Sequence, residues 1–276
     1  MIRTIAGRHN ESVKLAQKLQ KKKHRRDKGL FVCEGLDLLE AAIQAGESPV
    51  EVLVRDDLLD RLPPELLEEA EEDELDIGVC SAEVLEHASG LGGAADVVAL
   101  FELIEWSLAD LPLEAGVCVY LSGVGDPGNV GTIIRSAVAF GAVGVVCSPG
   151  TADPFGPKAL RAGMGAQFFT RVMVEVSPSD LVAKIEADER RGVVRPTVVC
   201  ADPAAEMSSS GLAVDGPVVL VMGAEREGPA EIPGPVLRVA IPQVGLDSLN
   251  VAMAATVLLY ELSRPERGKP RGGLLA

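Results

Sequence analysis

The residues of this chain whose types and spacing can do chemistry fall in three short runs of its C-terminal half. They are Gly128-Asn129-Val130-Gly131-Thr132-Ile133-Ile134-Arg135, Val221-Met222-Gly223-Ala224-Glu225-Arg226-Glu227-Gly228 and Ile241-Pro242-Gln243-Val244-Gly245-Leu246-Asp247-Ser248-Leu249-Asn250. Asn129 stands where the chain turns into a helix read over Val130 to Phe140 and stopped by Gly141, so it is expected as a cap whose amide can also face a ligand. Arg135 follows about a turn and a half later, still near that mouth. An arginine there can hold an anion and steady developing negative charge. It cannot take a proton while charged, because guanidinium offers no acceptor and has a pKa above about 12. A surface ion pair is the plainer reading of a lone helical arginine. Gly223 closes an apolar run from Val218, at the carboxyl end of a buried strand where open α/β sheets bind ligands, and it lets a backbone amide approach one closely. Ile241-Pro242 ends another strand, and Asp247 or Ser248 suits the N-cap of the small-residue helix that Ser248-Leu249-Asn250 opens. The 3 histidines, His9, His24 and His87, lie outside this half, so neither a Ser-His-Asp triad there nor a Cys/His zinc cluster is supported, and no metal is expected.

Another glycine pattern competes with these runs. Gly123-Val124-Gly125-Asp126-Pro127-Gly128 matches G-x-G-x-x-G directly after a strand, the pattern of a dinucleotide site. Such a site also wants an acid near the end of the second strand, about 20 residues on. Here that strand ends at Cys147-Ser148-Pro149, and the nearest acid, Asp153, lies beyond a proline and a glycine. The match is incomplete, and a glycine turn forms wherever a strand reverses tightly into a helix.

The elements that must position these residues alternate. Val117–Leu121, Val143–Cys147, Phe168–Val174, Thr197–Cys200 and Pro217–Met222 are short β-branched runs separated by helical segments, which predicts a mostly parallel sheet with helices on both faces. Upstream, residues 10–28 predict a basic amphipathic helix with Val13, Leu15 and Leu19 on one side, either lying on RNA or simply solvated. Leu30–Cys33, the turn Glu34-Gly35 and the helical period from Leu36 to Gly46 read as strand, turn, helix; Val50–Val54 reads as a second strand, and the acidic stretch after Pro63-Pro64 as an exposed helix. Periodicity fades between about 104 and 115, near Trp106, Asp110 and Pro112. The division expected is therefore an N-terminal α/β domain over 1–103, a linker over 104–115, a second domain over 116–263 and a disordered tail over 264–276.

Composition sets bounds. The chain has 276 residues and 47% hydrophobic content, enough for two domains with their own cores. A net charge of −15 argues against phosphate binding in general. Distribution matters more. Lys14, Lys18, Lys21, Lys22, Lys23, Arg25, Arg26 and Lys28 face the single acid Asp27, whereas residues 65–76 carry Glu65, Glu68, Glu69, Glu71, Glu72, Asp73, Glu74 and Asp76 with no base. The 5 cysteines have no C-x-x-C spacing and read as reduced core residues. No apolar run approaches the roughly 20 residues that cross a bilayer, and no basic-then-apolar leader opens the chain, so a cytoplasmic protein is expected.

Taken together, the three runs resemble in order and spacing the motifs of the SpoU (TrmH-like) class of the SPOUT superfamily, which methylates ribose 2′-hydroxyls in RNA with S-adenosylmethionine. The resemblance implies an α/β fold whose C-terminal sheet is threaded in a trefoil knot, preceded by a small α/β domain like certain ribosomal proteins, to which Phe31 and Glu34-Gly35 also correspond. It implies a homodimer, with the site at a subunit interface. It assigns catalytic or substrate-site roles to Asn129, Arg135, Glu225, Ser248 and Asn250, and cofactor contacts to Leu121, Gly223, Ala224, Ile241, Pro242 and Leu249. Ala224 departs from the asparagine often found there, which puts one polar contact in doubt. Pro157–Ala166 resembles a family segment that would set Lys158 and Arg161 near RNA phosphates, against the alternative of a solvated helix face. The two-domain layout resembles members that modify large-subunit rRNA, some of which confer thiopeptide resistance; tRNA enzymes of the class more often lack the first domain. A tRNA methyltransferase, a non-catalytic ribosome-assembly factor and a nicotinamide-dependent oxidoreductase stand as alternatives.

Overall fold

The computed structural model describes residues 1–90, 95–212, 214–224, 228, 231–245 and 249–264. The chain divides into two compact units, one formed by Met1–Trp106, Asp126–Arg135 and Ala152–Thr170, the other by Ser107–Gly125, Ser136–Thr151 and Arg171 onward.

The first unit begins with β1 (Ile2–Ile5), α1 (Glu11–Leu19), α2 (Lys22–Lys28), β2 (Leu30–Glu34), α3 (Leu36–Gln44), β3 (Glu51–Arg55), α4 (Pro64–Glu71), β4 (Asp76–Cys80), α5 (Ala82–Ala88) and β5 (Val97–Glu102). Its sheet runs β1-β4-β3-β5-β2, parallel from β1 to β3 and antiparallel at β5. The basic stretch forms two helices instead of one. Gly29 at φ 63° ends α2 and turns the chain into β2. Val13, Ala16 and Leu19 of α1 pack with Leu85 and Ala88 of α5 against Val32, Leu53, Val98 and Leu100. Alternation along β2 sends Phe31 to the opposite face. There its ring meets those of Phe101, Phe155 and Phe168 at centroid distances of 5.8, 5.2 and 5.8 Å. Glu34, 5% exposed, is held as a structural carboxylate: it accepts from Gln20 Nε2 at 3.0 Å, Ser89 Oγ at 2.6 Å and the Gly90 amide at 2.9 Å. Gly35 then makes the turn at φ 105°, a conformation that favours glycine. β1, β4 and β5 were not among the strands read from the sequence. IRTI is short, and DIGVC opens on an acid and carries a glycine, so neither shows a β-rich run.

The second half of the chain supplies β6 (Val117–Ser122), α6 (Pro127–Ala139), β7 (Gly144–Cys147), α7 (Pro157–Gly163), β8 (Val172–Met173), α8 (Pro178–Arg190), β9 (Thr197–Ala201), β10 (Val218–Gly223), β11 (Leu237–Val239) and α9 (Val251–Ser263). Its six-stranded sheet runs β11-β9-β10-β6-β7-β8, and every pairing is parallel. Cys118, Tyr120, Val219 and Val221 meet Leu181 and Ile185 of α8 in the core of the second unit. Leu111 and Leu113 join that core from a stretch of 3-10 turns at Leu108–Asp110 and Leu113–Ala115, a spacing that neither helical nor strand periodicity reveals. The run read as a strand over Phe168–Val174 keeps only β8; Ala166–Phe169 winds as a 3-10 turn, with Ala166 and Gln167 buried. All five cysteines are buried free thiols. Among the described residues no helix is long and apolar enough to cross a membrane.

Candidate active site

In the second unit, the carboxyl ends of β6 and β10 lie side by side. Leu121 pairs in register with Met222, and Ser122 with Gly223. The Ala224 amide continues the ladder by donating to the Ser122 carbonyl at 3.1 Å, and the Gly228 amide closes a turn onto the Ala224 carbonyl at 3.0 Å. The Leu121 carbonyl accepts twice, from the Ser148 amide and from Thr151 Oγ1, both at 2.9 Å. Ser148 Oγ in turn accepts from the Gly123 amide at 2.9 Å. The glycine turn after β6 is thus buttressed by two buried hydroxyls that the sequence reading missed. Only their place just after β7, beside the end of β6, could have flagged them.

Ile241 and Pro242 leave an anchored strand end. Ala240 donates to the Met207 carbonyl and accepts from the Ser209 amide, each at 2.8 Å. Ile241 is half-buried, while Val244 is fully exposed and Leu249 is 38% exposed. Gln243 Oε1 is buried with no hydrogen-bond partner among the described residues. A buried acceptor of this kind is costly unless something supplies a donor. Asn250 caps α9: its side chain accepts from the amides of Ala252 at 2.9 Å and Met253 at 3.3 Å. α9 packs against β10, burying Val251, Ala252 and Ala255. Leu121, Gly223, Ala224, Ile241, Pro242, Leu249 and Asn250 therefore all belong to strand ends or helix starts of this unit. Glu225 and Ser248 lie outside the described residues.

Asn129 and Arg135 lie on α6. Their helix begins earlier than the sequence suggested, because Pro127 is fit for a first helical turn. The cap is consequently Asp126, whose Oδ1 accepts from the Asn129 amide at 2.8 Å, and Asn129 sits inside the first turn. Gly131 sits against the backbone of α7: a Cβ there would lie 2.1 Å from the Ala159 carbonyl oxygen and 2.8 Å from the Gly163 nitrogen. That crossing sets α6 against the helix bearing Lys158 and Arg161, both exposed. Arg135 is also exposed, and it forms no ion pair among the described residues. Asp153, the acid weighed for a dinucleotide site, is taken up instead by Arg25, at 2.6 Å, and by the Phe155 amide, at 3.0 Å. Among the described residues no cluster of His, Cys, Asp and Glu fit for a metal ion occurs.

Residues 116–260 match the family model described as SpoU rRNA Methylase family, and residues 10–99 match the MRM3-like substrate binding domain. The chain is 30% identical, over 95% of its length and 99% of the relative's, to the 23S rRNA (guanosine(2553)-2′-O)-methyltransferase RlmP of Bacillus subtilis. Among solved structures it is similar to the SpoU methyltransferase AviRb of Streptomyces viridochromogenes in complex with AdoMet, with a TM-score of 0.81 and 25% identity over 92% of this chain and 97% of that one. It is also similar to the AdoMet-bound rRNA methyltransferase of Sinorhizobium meliloti, with a TM-score of 0.79 and 29% identity over 95% of this chain and 97% of that one.

Proposed function

We propose a mechanism from the premise that this chain belongs to the SpoU rRNA Methylase family. The protein is an S-adenosylmethionine-dependent RNA methyltransferase that methylates ribose 2′-hydroxyls of rRNA. We take large-subunit rRNA as the substrate, as in the RlmP and AviRb-type relatives.

The strand ends of the second unit suit the cofactor. Gly223 has no side chain to obstruct the end of β10, Ile241, Val244 and Leu249 offer apolar surface, and Gln243 Oε1 awaits a donor. An adenosine presents an apolar ring face edged with donors. Leu121, Gly223, Ala224, Ile241, Pro242 and Leu249 would hold it, largely through backbone groups. When bound, the group supplies an electrophilic methyl on a sulfonium centre.

The protein's own part is then positioning and charge. Arg135 would hold a phosphate beside the target ribose and stabilise negative charge growing on the 2′-oxygen. The proton leaves to a phosphate oxygen or water, because guanidinium has no lone pair to receive it. Asn129 would orient Arg135 and the ribose, with Glu225, Ser248 and Asn250 completing the site. The observation that carries this assignment is an exposed arginine that meets no acid among the described residues, in a chain of net charge −15.

The division of labour proposed is RNA capture by residues 1–103 and methyl transfer by 116–263, joined over 104–115, with 264–276 as a tail that lies mostly outside the described residues. A homodimer is part of the reading. Its support is an apolar row on α9: Met253, Val257 and Tyr260, exposed by 57%, 36% and 50%, recur at helical spacing. We place the reaction in the cytoplasm, where five buried free thiols stay reduced.

The experiment is transfer of labelled methyl from S-adenosylmethionine to unmodified rRNA and tRNA by the wild type and by Arg135→Ala, with the product mapped by mass spectrometry. Ribose methylation of rRNA that the variant loses is the expected result. Cofactor binding without transfer to either RNA would overturn the catalytic reading.

A further inference from the structure

The cations of this protein are unevenly neutralised. Lys184, Arg190, Arg191, Arg195, Arg238 and Arg264, all in the second unit, each pair with an acid. In the first unit Arg3 pairs with Glu51 and Arg55 with Asp57 and Asp96. With 41 acidic residues against 26 basic ones, a cation meets a carboxylate unless the fold keeps carboxylates away.

On α1 and α2, where Glu11 and Asp27 are the only acids, most lysines stay unpaired among the described residues. Lys14, Lys18, Lys21, Lys23 and Lys28 are exposed, and none pairs with an acid among the described residues. Lys14 and Lys18 lie one turn apart on the solvent side of α1, whose other side buries Val13, Ala16 and Leu19. Arg25 behaves differently. At 4% exposure it donates from Nη2 and Nε to Asp153 Oδ2 at 2.6 and 3.1 Å, and from Nη1 to the Leu19 carbonyl at 2.7 Å. One buried guanidinium therefore fixes the end of α1, the body of α2 and the segment leading into α7. All three helices pack on β2. α7 carries Lys158 and Arg161, also exposed and without an acid among the described residues.

We propose that the lysine face of α1 and α2, pinned by Arg25 and Asp153, is the surface on which the phosphodiester backbone of the substrate RNA docks. This rests on the methyltransferase reading and adds to it where the RNA is gripped. Lysines act as point charges toward phosphate and read no base, so the face serves affinity and orientation while selection of the nucleotide falls to other groups. In a molecule of net charge −15 a concentrated cationic face also orients a polyanion during approach, since most other surfaces repel it.

The test uses the full chain with Lys14, Lys18, Lys21 and Lys23 all changed to Gln, a substitution that keeps helix propensity. Binding to an unmodified large-subunit rRNA transcript is measured from 50 to 300 mM salt beside methyl-transfer kinetics. Each lost phosphate contact flattens the plot of log affinity against log salt by about 0.7–0.9, so a slope shallower by roughly 3 is expected. Affinity near physiological salt should fall at least tenfold and KM for RNA should rise with it, while kcat at saturating RNA and affinity for S-adenosylmethionine stay as in the wild type. A variant whose affinity and slope equal those of an active wild type overturns the docking surface and leaves the methyltransferase reading standing. A wild type that neither binds nor methylates RNA overturns both.

Discussion

Arg135 concentrates the chemistry at the scale of single residues. Removing a donor that stabilises charge only in the transition state costs roughly 10²–10³ in kcat. Arg135→Ala should show that loss in single-turnover transfer, with S-adenosylmethionine affinity within twofold of the wild type. Arg135→Lys keeps the charge and gives up the two-pronged geometry, so it should fall between them. If Arg135→Ala instead leaves kcat intact and raises only KM for RNA, the arginine binds RNA without touching the transition state. Asn250 carries two duties, since it caps α9 through two amides and stands in the proposed substrate site. Asn250→Ala should cost about 1 kcal/mol of stability, read as a fall of about 2–4 °C in Tm. Arg135 and Asn250 were singled out by the resemblance of their motifs to a known family, whereas local reading gave the cap of α9 to Asp247 or Ser248 and the structure gives it to Asn250. The true cap of α6 could not be picked from the sequence either, because Asn129 and Asp126 are both good capping residues and only the start of the helix at Pro127 decides between them.

At the scale of elements, the crossing of α6 and α7 fixes where Arg135 stands. Gly131→Ala places a Cβ 2.1 Å from the Ala159 carbonyl oxygen, and backbone cannot swing aside as a side chain does. The expected cost is about 1–3 kcal/mol. Gly125→Ala, where nothing lies within 4 Å of the added atom, is the matched control and should leave Tm nearly unchanged. Equal Tm values for the two variants would mean that the helices do not meet at Gly131. α8 offers a pH test. Burial alone would raise the Asp188 carboxyl, but hydrogen bonds from Lys184 and Arg191 outweigh it and leave its pKa lowered. A carboxyl lowered on folding stabilises the protein above its unfolded pKa of about 3.9, and that contribution fades as pH falls through the lower folded value. The Tm gap between wild type and Asp188→Asn should therefore be full at pH 7 and shrink below about pH 4. A gap independent of pH would show that the carboxylate's charge is not what matters. Helices such as α3, α6 and α9 and the central parallel strands were legible from periodicity, whereas β1 and β4 were not, since short strands with polar or glycine positions find their place only through neighbours; β5, an apolar run, was missed as well.

At the scale of the whole molecule, burial makes the thiols inert. It pushes Cys118 up to about 12; Cys80, where burial acts first and Asp56 adds to it, rises to about 11. Thiolate is scarce at pH 8 under those conditions, so the native protein should react negligibly with a thiol-specific disulfide reagent and all five cysteines should react once it unfolds. Rapid labelling of a native thiol would mark a region that opens locally. By itself the sequence determined the class of chemistry, the alternating architecture of the C-terminal half and the concentration of lysines near the N-terminus. The class of chemistry follows from the resemblance of three separate motifs to a known family, and the other two properties from residue type and spacing along single elements. Only the tertiary structure decided that Arg25 meets Asp153, 128 residues away, that Glu34 gathers Gln20, Ser89 and Gly90, and that Ser148 and Thr151 brace the end of β6. Such pairings come from buried polar groups finding partners as distant segments pack, and no local periodicity encodes which distant residue arrives.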